Sequence, residues 1–280
     1  MTKIPTLKEL LEAGAHFGHH VSRWHPKMAP HIFGNRSGIH IINIEETQKH
    51  LATALEFLKG IAERGGTVLF VGTKQQAQGL VKQYATEVGM PYVSERWLGG
   101  TLTNFGEIKR VVKRLLDLRD KRTKGELKKY TKQEQVWIAR DIEDMERKVG
   151  GIETMTQMPD AIFIVDIRAD KTSIAEAIQK KIPVVALVDT NVNPRDVAYP
   201  IPANDDGVKS INLMLSLVAE AIKDGRAQGV AAAAAAASIK EKKEEEVEET
   251  TVKEEAKAVV EDLDDKLAEE MATKELEEKK

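Results

Sequence analysis

Residues 161–165 read Ala-Ile-Phe-Ile-Val, and this unbroken apolar run decides the fold class. Similar runs occupy 67–71 and 184–188, and segments with helical spacing separate them at about 74–88 and 171–181. Short apolar runs that alternate with helices are typical of parallel strands buried on both faces. The sequence therefore predicts an α/β domain built around a parallel sheet.

Weaker signals add further elements to this pattern. Further strands are expected near 92–93 and 198–201. A final helix is expected from a cap at Asn204 to about Lys223, with Gly225 as its stop.

The N-terminal region is less regular. Thr6 and Glu9 form a capping-box pattern for a short helix that ends at Gly14. Residues 15–38 are rich in His, Pro, Gly and basic residues, which predicts an irregular but ordered loop. A strand over 39–44 and a helix over about 46–63 are expected to follow.

A basic helical hairpin over 104–149 interrupts the α/β pattern. Between 105 and 132 there are eleven Lys or Arg against four Asp or Glu. A projecting arm with this surplus of positive charge suits a phosphate backbone. Apolar residues recur along both arms as in a coiled-coil seam. They are Phe105, Ile108, Val112, Leu115 and Leu118 on the first arm and Ile138, Ile142, Met145 and Val149 on the second.

The charge balance differs between the body and the C-terminal tail. Residues 1–229 carry 33 basic and 28 acidic residues, whereas 230–280 carry nine basic and 17 acidic residues. The net charge of −3 therefore hides a basic body. The tail, 227–280, is rich in alanine and then in charged residues, so it is expected to lack fixed packing.

The composition excludes several classes of chemistry. The chain has no cysteine, which excludes disulfides, iron–sulfur clusters and thiol catalysis. No stretch approaches the ~20 apolar residues of a membrane span, and the N-terminus does not resemble a signal peptide. A cytoplasmic protein without a membrane partner is therefore expected. The sequence contains no nucleophile elbow, Rossmann fingerprint or P-loop.

Several motifs within residues 1–226 resemble one family of ribosomal proteins. Residues 10–19, Leu-Leu-Glu-Ala-Gly-Ala-His-Phe-Gly-His, resemble the N-terminal signature of the bacterial small-subunit ribosomal protein numbered two. Further matches are 96–104 before the hairpin, 159–166 with Glu176, Ile182 and Pro183, and the segments 188–191 and 201–206. The long tail departs from the short C-terminus of many members.

This resemblance implies a flavodoxin-like, three-layer α/β/α body, 1–103 and 150–226, with five parallel strands in the order 2-1-3-4-5 and an inserted coiled-coil hairpin. It implies binding to small-subunit ribosomal RNA between the head and body of the particle, without catalysis. It also implies contact with other small-subunit ribosomal proteins, including the tandem OB-fold protein numbered one, which helps to capture messenger RNA. Neither a small-molecule substrate nor a required cofactor is expected.

Cations of the hairpin and of nearby loops are the predicted RNA contacts. Trp24 stands between Arg23 and Lys27, so it could stack on a base or pack on the domain surface. Trp97 is expected to pack at the base of the hairpin. Rigid A-form RNA is recognised through its shape and backbone, so the hairpin is expected to show no base specificity. The predicted contacts are Arg23, Lys27, Arg36, Lys74, Arg96, Lys109, Arg110, Lys113, Arg114, Arg119, Lys121, Arg122, Lys124, Lys128, Lys129 and Lys132.

Two polar clusters leave alternatives open. The turn at Lys74 is either a tight strand-to-helix connection or a phosphate site at a helix start. A second set of side chains could hold a structural divalent ion, zinc or magnesium, in a mixed nitrogen and oxygen site. Alternatively, these carboxylates cap helices and the histidines are hydrogen-bonded. The set is His16, His19, Asp189, Asp205 and Asp206.

Two other functions fit parts of the sequence. A flavodoxin-like enzyme or nucleotide-binding module would keep acidic groups at strand ends, where Asp166 and Asp189 lie. A protein–protein adaptor would use the hairpin to bind an acidic partner. Retention on small subunits after a high-salt wash would distinguish a ribosomal protein from an adaptor.

Overall fold

The computed structural model describes residues 4–232. Residues up to Gly229 belong to one compact unit, and Val230–Lys280 form a second unit of which only 230–232 are described. The predicted tail from 233 onward therefore lies outside the described residues. Within 4–232, no helix combines the length and apolar character needed to cross a membrane.

A small antiparallel sheet occupies most of the N-terminal region. Its strands are β1 (Phe17–His20), β2 (Ile32–Arg36) and β3 (Ile39–Ile42), in the order β1-β3-β2. The prediction of an irregular loop over 15–38 is wrong, because backbone pairing with β3 forms these strands without an alternating apolar pattern. Short 3-10 helices at Val21–Arg23 and Pro26–His31 connect β1 to β2.

Five parallel strands form the main sheet. They are β4 (Val68–Val71), β5 (Tyr92–Val93), β6 (Ala161–Ile164), β7 (Val184–Val188) and β8 (Tyr199–Pro202). Their order is β5-β4-β6-β7-β8, which is 2-1-3-4-5 when these five strands are numbered along the chain. Every residue of β4, β6 and β7 is buried, as the apolar runs predict. The architecture is compatible with a flavodoxin-like fold.

Helices cover both faces of this sheet. In the described part of the chain they are α1 (Leu7–Glu12), α2 (Ile44–Glu63), α3 (Gln75–Glu87), α4 (Phe105–Thr123), α5 (Lys132–Val149), α6 (Lys171–Gln179) and α7 over 208–232. Phe70 and Phe163 pack in one core with α2, α3 and α7, whereas Leu69 and Ile162 pack in a second core with α6 and the hairpin helices. The base of the hairpin is therefore part of one layer of the body.

The last helix is longer than predicted. A turn precedes it, in which Asn204 Oδ1 accepts hydrogen bonds from the backbone N–H groups of Asp206 and Gly207. The helix then continues through Gly225, so the predicted stop at this residue is wrong. A Cβ at Gly225 would clash with the carbonyl oxygen of Lys59, so this glycine allows close approach of α7 to α2. The predicted body–tail boundary at 226 falls within α7.

The inserted hairpin consists of α4 and α5, joined by a turn that begins at Gly125 with φ 74°. A capping box of Thr131 and Glu134 begins α5. Gly151, just after α5, contacts Tyr92 so closely that a Cβ would clash with its backbone. The predicted apolar faces are buried at Ile108, Leu115, Ile142, Met145 and Val149 and partly buried at Phe105, Val112, Leu118 and Ile138.

Candidate functional site

One buried carboxylate holds the segment that leads into the hairpin. Glu176 lies on α6 and is only 7% exposed. Its Oε1 accepts hydrogen bonds from Trp97 Nε1 at 3.0 Å and from the Gly100 backbone at 2.8 Å. Its Oε2 accepts from the Leu102 backbone at 2.9 Å and from both the backbone and the hydroxyl of Thr103 at 3.1 Å. Five donors from one loop thus converge on one side chain.

These hydrogen bonds determine the charge state of Glu176. Burial acts to raise the pKa of this carboxyl, but the bonds from Trp97 and the loop backbone outweigh burial and lower the pKa. Trp97 is buried, which confirms its predicted packing at the hairpin base. Helical spacing gives no signal of this role, because Glu176 lies two residues after the buried Ile174 and therefore on a different face of α6.

Four of the predicted RNA-contact cations have carboxylate partners within or beside the hairpin. The half-buried Arg119 joins α4 to α5, and Arg114 does the same on the exposed surface. RNA contact by these four residues stays a prediction. RNA phosphates would have to compete with the carboxylates for these cations. The pairs are Arg110–Glu107 (2.6 Å), Arg114–Asp141 (2.7 Å), Arg119–Glu146 and Arg119–Glu153 (2.7 Å each) and Lys124–Asp120 (2.6 Å).

The other predicted hairpin cations are exposed and form no ion pair within residues 4–232. Residues 133–149 contain five acidic and three basic residues, so the positive surface belongs to α4 and the turn. Lys109 Nζ lies 4.9 Å from the centre of the Phe105 ring, an attractive contact that leaves the charge in solvent. The seven cations are Lys109, Lys113, Lys121, Arg122, Lys128, Lys129 and Lys132.

The predicted loop cations are also exposed. Arg23, Lys27, Arg36 and Arg96 lie at the surface, and the described residues offer them no ion pair. Trp24 is 41% exposed and its ring tilts against His40, with 5.5 Å between the ring centres. Part of this ring remains open to solvent, and stacking of Trp24 on a base stays a prediction.

Lys74 is surrounded by carboxylates at the carboxyl end of β4. Its Nζ lies 2.6 Å from Asp206 Oδ1, 2.9 Å from Asp205 Oδ1 and 3.3 Å from Asp166 Oδ2. Burial lowers the pKa of Lys74, but these carboxylates raise it above its ordinary value. RNA contact by Lys74 stays a prediction that these ion pairs oppose.

Four of the five predicted metal ligands lie together. His19 Nδ1 is 3.0 Å from Asp189 Oδ2, and His19 Nε2 is 3.4 Å from Asp206 Oδ2. One ligand atom from each of His19, Asp189, Asp205 and Asp206 lies within 4.8 Å of the others. The prediction that His16 belongs to this group is wrong: His16 lies outside the cluster, and its ring packs against Phe17 with 4.0 Å between ring centres.

Burial opposes the ionisation of the carboxyl groups that crowd this edge of the sheet. It raises the pKa of Asp205 to about 7, and the nearby Asp189 acts in the same direction. Burial also raises the pKa of Asp170 to about 6, although the Thr73 side chain and backbone donate hydrogen bonds to it. A hydrogen bond to Asp189 raises the pKa of His19. A further positive charge would therefore be stabilised here.

The fold and these contacts define an α/β protein that carries a basic helical arm fixed to its body by a buried carboxylate. The family model for ribosomal protein S2 matches residues 10–225. The chain belongs to this family, so it is a structural ribosomal protein of the small subunit. Proteins of this family are generally not enzymes, and they associate with ribosomal RNA and with other ribosomal proteins.

Replacement of Glu176 by Gln should destabilise the protein. The amide nitrogen of Gln would face backbone N–H groups, so at least one buried donor would lose its acceptor. We expect the free energy of unfolding in urea to fall by about 2–4 kcal/mol. Glu220→Gln on the exposed surface of α7 is the matched control and should change it by less than about 0.5 kcal/mol. Equal stabilities of the two variants would refute this role of Glu176.

Proposed function

We propose that this chain binds small-subunit ribosomal RNA through the hairpin, between the head and body of the particle. The observation that carries the proposal is the group of seven exposed hairpin cations without ion pairs within residues 4–232. Exposed cations without a carboxylate partner are available to replace the counterions of a phosphate backbone. The proposed location of the chain is the assembled small subunit in the cytoplasm.

The internal contacts of the hairpin support this proposal. Arg114 and Arg119 join the two helices, and the loop on Glu176 joins the hairpin to the sheet. An arm fixed in this way can present cations at set positions along an RNA helix. Its mechanism is charge neutralisation combined with shape recognition, and it needs no catalytic group.

Charge reversal on the hairpin should remove the protein from its particle. The test variant K113E/K121E/K128E/K132E changes four exposed cations that have no ion pair within residues 4–232. Wild-type binding to small-subunit RNA should fall by roughly two to three decades between 50 and 200 mM salt if ~5 phosphates are contacted. The variant should show a salt slope shallower by about 0.7–0.9 per lost contact.

The control is K82E/K180E/K181E/K209E, which changes four exposed lysines of the body by the same total charge. It should sediment with small subunits after a high-salt wash, whereas the hairpin variant should not. Incorporation of the hairpin variant at the wild-type level would contradict the proposal. Loss of an acidic protein partner, with RNA binding unchanged, would instead favour the adaptor function.

We further propose that the N-terminal region contacts the tandem OB-fold ribosomal protein. Exposed apolar side chains from α1, β1 and β2 support this proposal. Phe33 is 80% exposed and lines a groove of about 310 Å³ together with Leu7 and Leu11. Phe17 on the neighbouring part of the small sheet is 48% exposed. Exposed apolar groups that cluster in this way are typical of protein interfaces.

Phe33→Ala should weaken this contact without affecting the fold, because the ring is largely exposed. We expect the dissociation constant between the full chain and the purified tandem OB-fold protein to rise about tenfold or more, as for an aromatic interface anchor. The control is Val208→Ala on α7, another exposed apolar residue, which should leave the constant unchanged. Equal affinities of all three proteins would exclude this surface.

We also propose a structural divalent ion, zinc or magnesium, at His19, Asp189, Asp205 and Asp206. The donor set fits, since zinc accepts one imidazole nitrogen with carboxylate oxygens. The cluster offers more carboxylate charge than Lys74 and His19 can neutralise. Such an ion would join the small sheet to the carboxyl ends of the main strands, and no reaction step depends on it.

Metal analysis after chelator washing and reloading tests this proposal directly. The full chain should retain about one ion per molecule, and His19→Ala with Asp189→Asn should retain much less. His16→Ala is the matched control, because His16 lies outside the cluster, and it should retain the wild-type amount. An ion content well below stoichiometric in the wild-type chain would exclude the site.

A further inference from the structure

A large cleft lies at the carboxyl ends of β6 and β7, apart from the hairpin. Its volume is about 980 Å³, and three segments distant in sequence line it. These segments are the loop at Arg23, the stretch from Arg168 to Lys171 (the first residue of α6), and the loop after β7 at Asn191. A cleft of this size holds a nucleotide-sized ligand.

The cleft is strongly cationic. Arg23, Arg168 and Lys171 line it, are exposed, and form no ion pair within residues 4–232. Asp196 contributes a carboxylate to the lining, and its Oδ1 accepts a hydrogen bond from Asn193 Nδ2. The lining therefore carries three cations and one carboxylate, and that carboxylate already accepts a hydrogen bond. This surplus of positive charge favours an anionic ligand.

Beyond Lys171, the wall of the cleft that α6 forms is apolar. Ile178 is 60% exposed there, and Ile174 lines the same wall. Val192 adds apolar surface from the loop after β7. An apolar wall beside cations suits a ligand with a flat apolar face and a negative charge, as in a nucleotide.

A buried acceptor without a partner lies beside this wall. Asn191 lines the cleft, and its Oδ1 accepts no hydrogen bond from the residues 4–232. Its amide nitrogen is 3.0 Å from His19 Nε2, which orients the side chain. Because this oxygen is shielded from solvent, recognition of a ligand depends on the cations and the apolar wall of the cleft.

The wall contributed by the N-terminal loop is held in place by backbone contacts. His25 donates its backbone N–H to the carbonyl of Thr190 at 2.7 Å. The His25 ring accepts a hydrogen bond from the backbone of Lys27 at 3.2 Å. Arg23 is therefore presented to the cleft by a loop that is fixed to the end of β7.

We propose that this cleft binds one nucleotide of a single-stranded RNA segment. Arg23, Arg168 and Lys171 hold its phosphates, and the base lies against Ile174 and Ile178. The proposal rests on the proposed function, because small-subunit RNA supplies the ligand. A nucleotide within a strand fits better than a free one, because the three cations can contact successive phosphates.

The test variant is R168E/K171E, and K180E/K181E at the other end of α6 is its control. Both change the charge equally, and glutamate at the start of a helix is compatible with the helix dipole. The probes are a labelled single-stranded RNA of about six nucleotides and free AMP, each titrated with the full chain at about 0.1 M salt. The test variant should bind the RNA roughly tenfold or more weakly, and the control should bind like the wild type.

Equal RNA affinity of the test variant and the control would overturn the proposal. AMP binding as tight as RNA binding would also overturn it, since the ligand would then be a free nucleotide. The hairpin variant K113E/K121E/K128E/K132E separates this proposal from the proposed function. Adding R168E/K171E to the hairpin variant should weaken its binding to short RNA by the same factor as in the wild type. This should hold even where the hairpin variant no longer binds the particle.

Discussion

The connection between sheet and arm depends on the charge of Glu176. Five hydrogen bonds from the loop before α4 end on this carboxylate, which α6 holds beside the central strands. Because buried N–H groups need acceptors, the loop has few other low-energy conformations. Trp97 is buried, and Gly151 allows the chain to return closely past Tyr92. The hairpin can therefore act as a rigid arm, which is the property that shape recognition of RNA requires.

Two groups of side chains with opposite net charge lie at the same edge of the main sheet. Around Lys74, carboxylates outnumber cations, and the cluster with His19 suits a cation. Around Arg168 and Lys171, cations outnumber carboxylates, and the cleft suits a phosphate. Parallel strands place both groups at the same edge because their carboxyl ends coincide. The net charge of the chain reveals neither group.

The central strands could be predicted because apolar runs such as 161–165 need burial on both faces. The small N-terminal sheet could not, since its strands depend on backbone pairing and carry no alternating pattern. Gly225 predicts a helix end, but a glycine inside a helix can instead allow close packing against a neighbouring helix.

At the candidate site, the sequence identifies the cations but not their partners. Arg119 and Lys128 have equal charge in the sequence, yet only Arg119 is held by two glutamates. The cleft could not be predicted from the sequence because its lining residues lie far apart along the chain.

Crosslinking of RNA to protein in intact small subunits, followed by mass spectrometry of the crosslinked peptides, tests the RNA-binding role of the arm most directly. Crosslinks should fall on peptides from α4 and the turn, with a second group at Arg168 to Lys171. The outer face of α7, which has no comparable cluster of unpaired cations in the described part of the chain, should show none. Crosslinks confined to α7 or other parts of the body, with the arm unlabelled, would contradict that role.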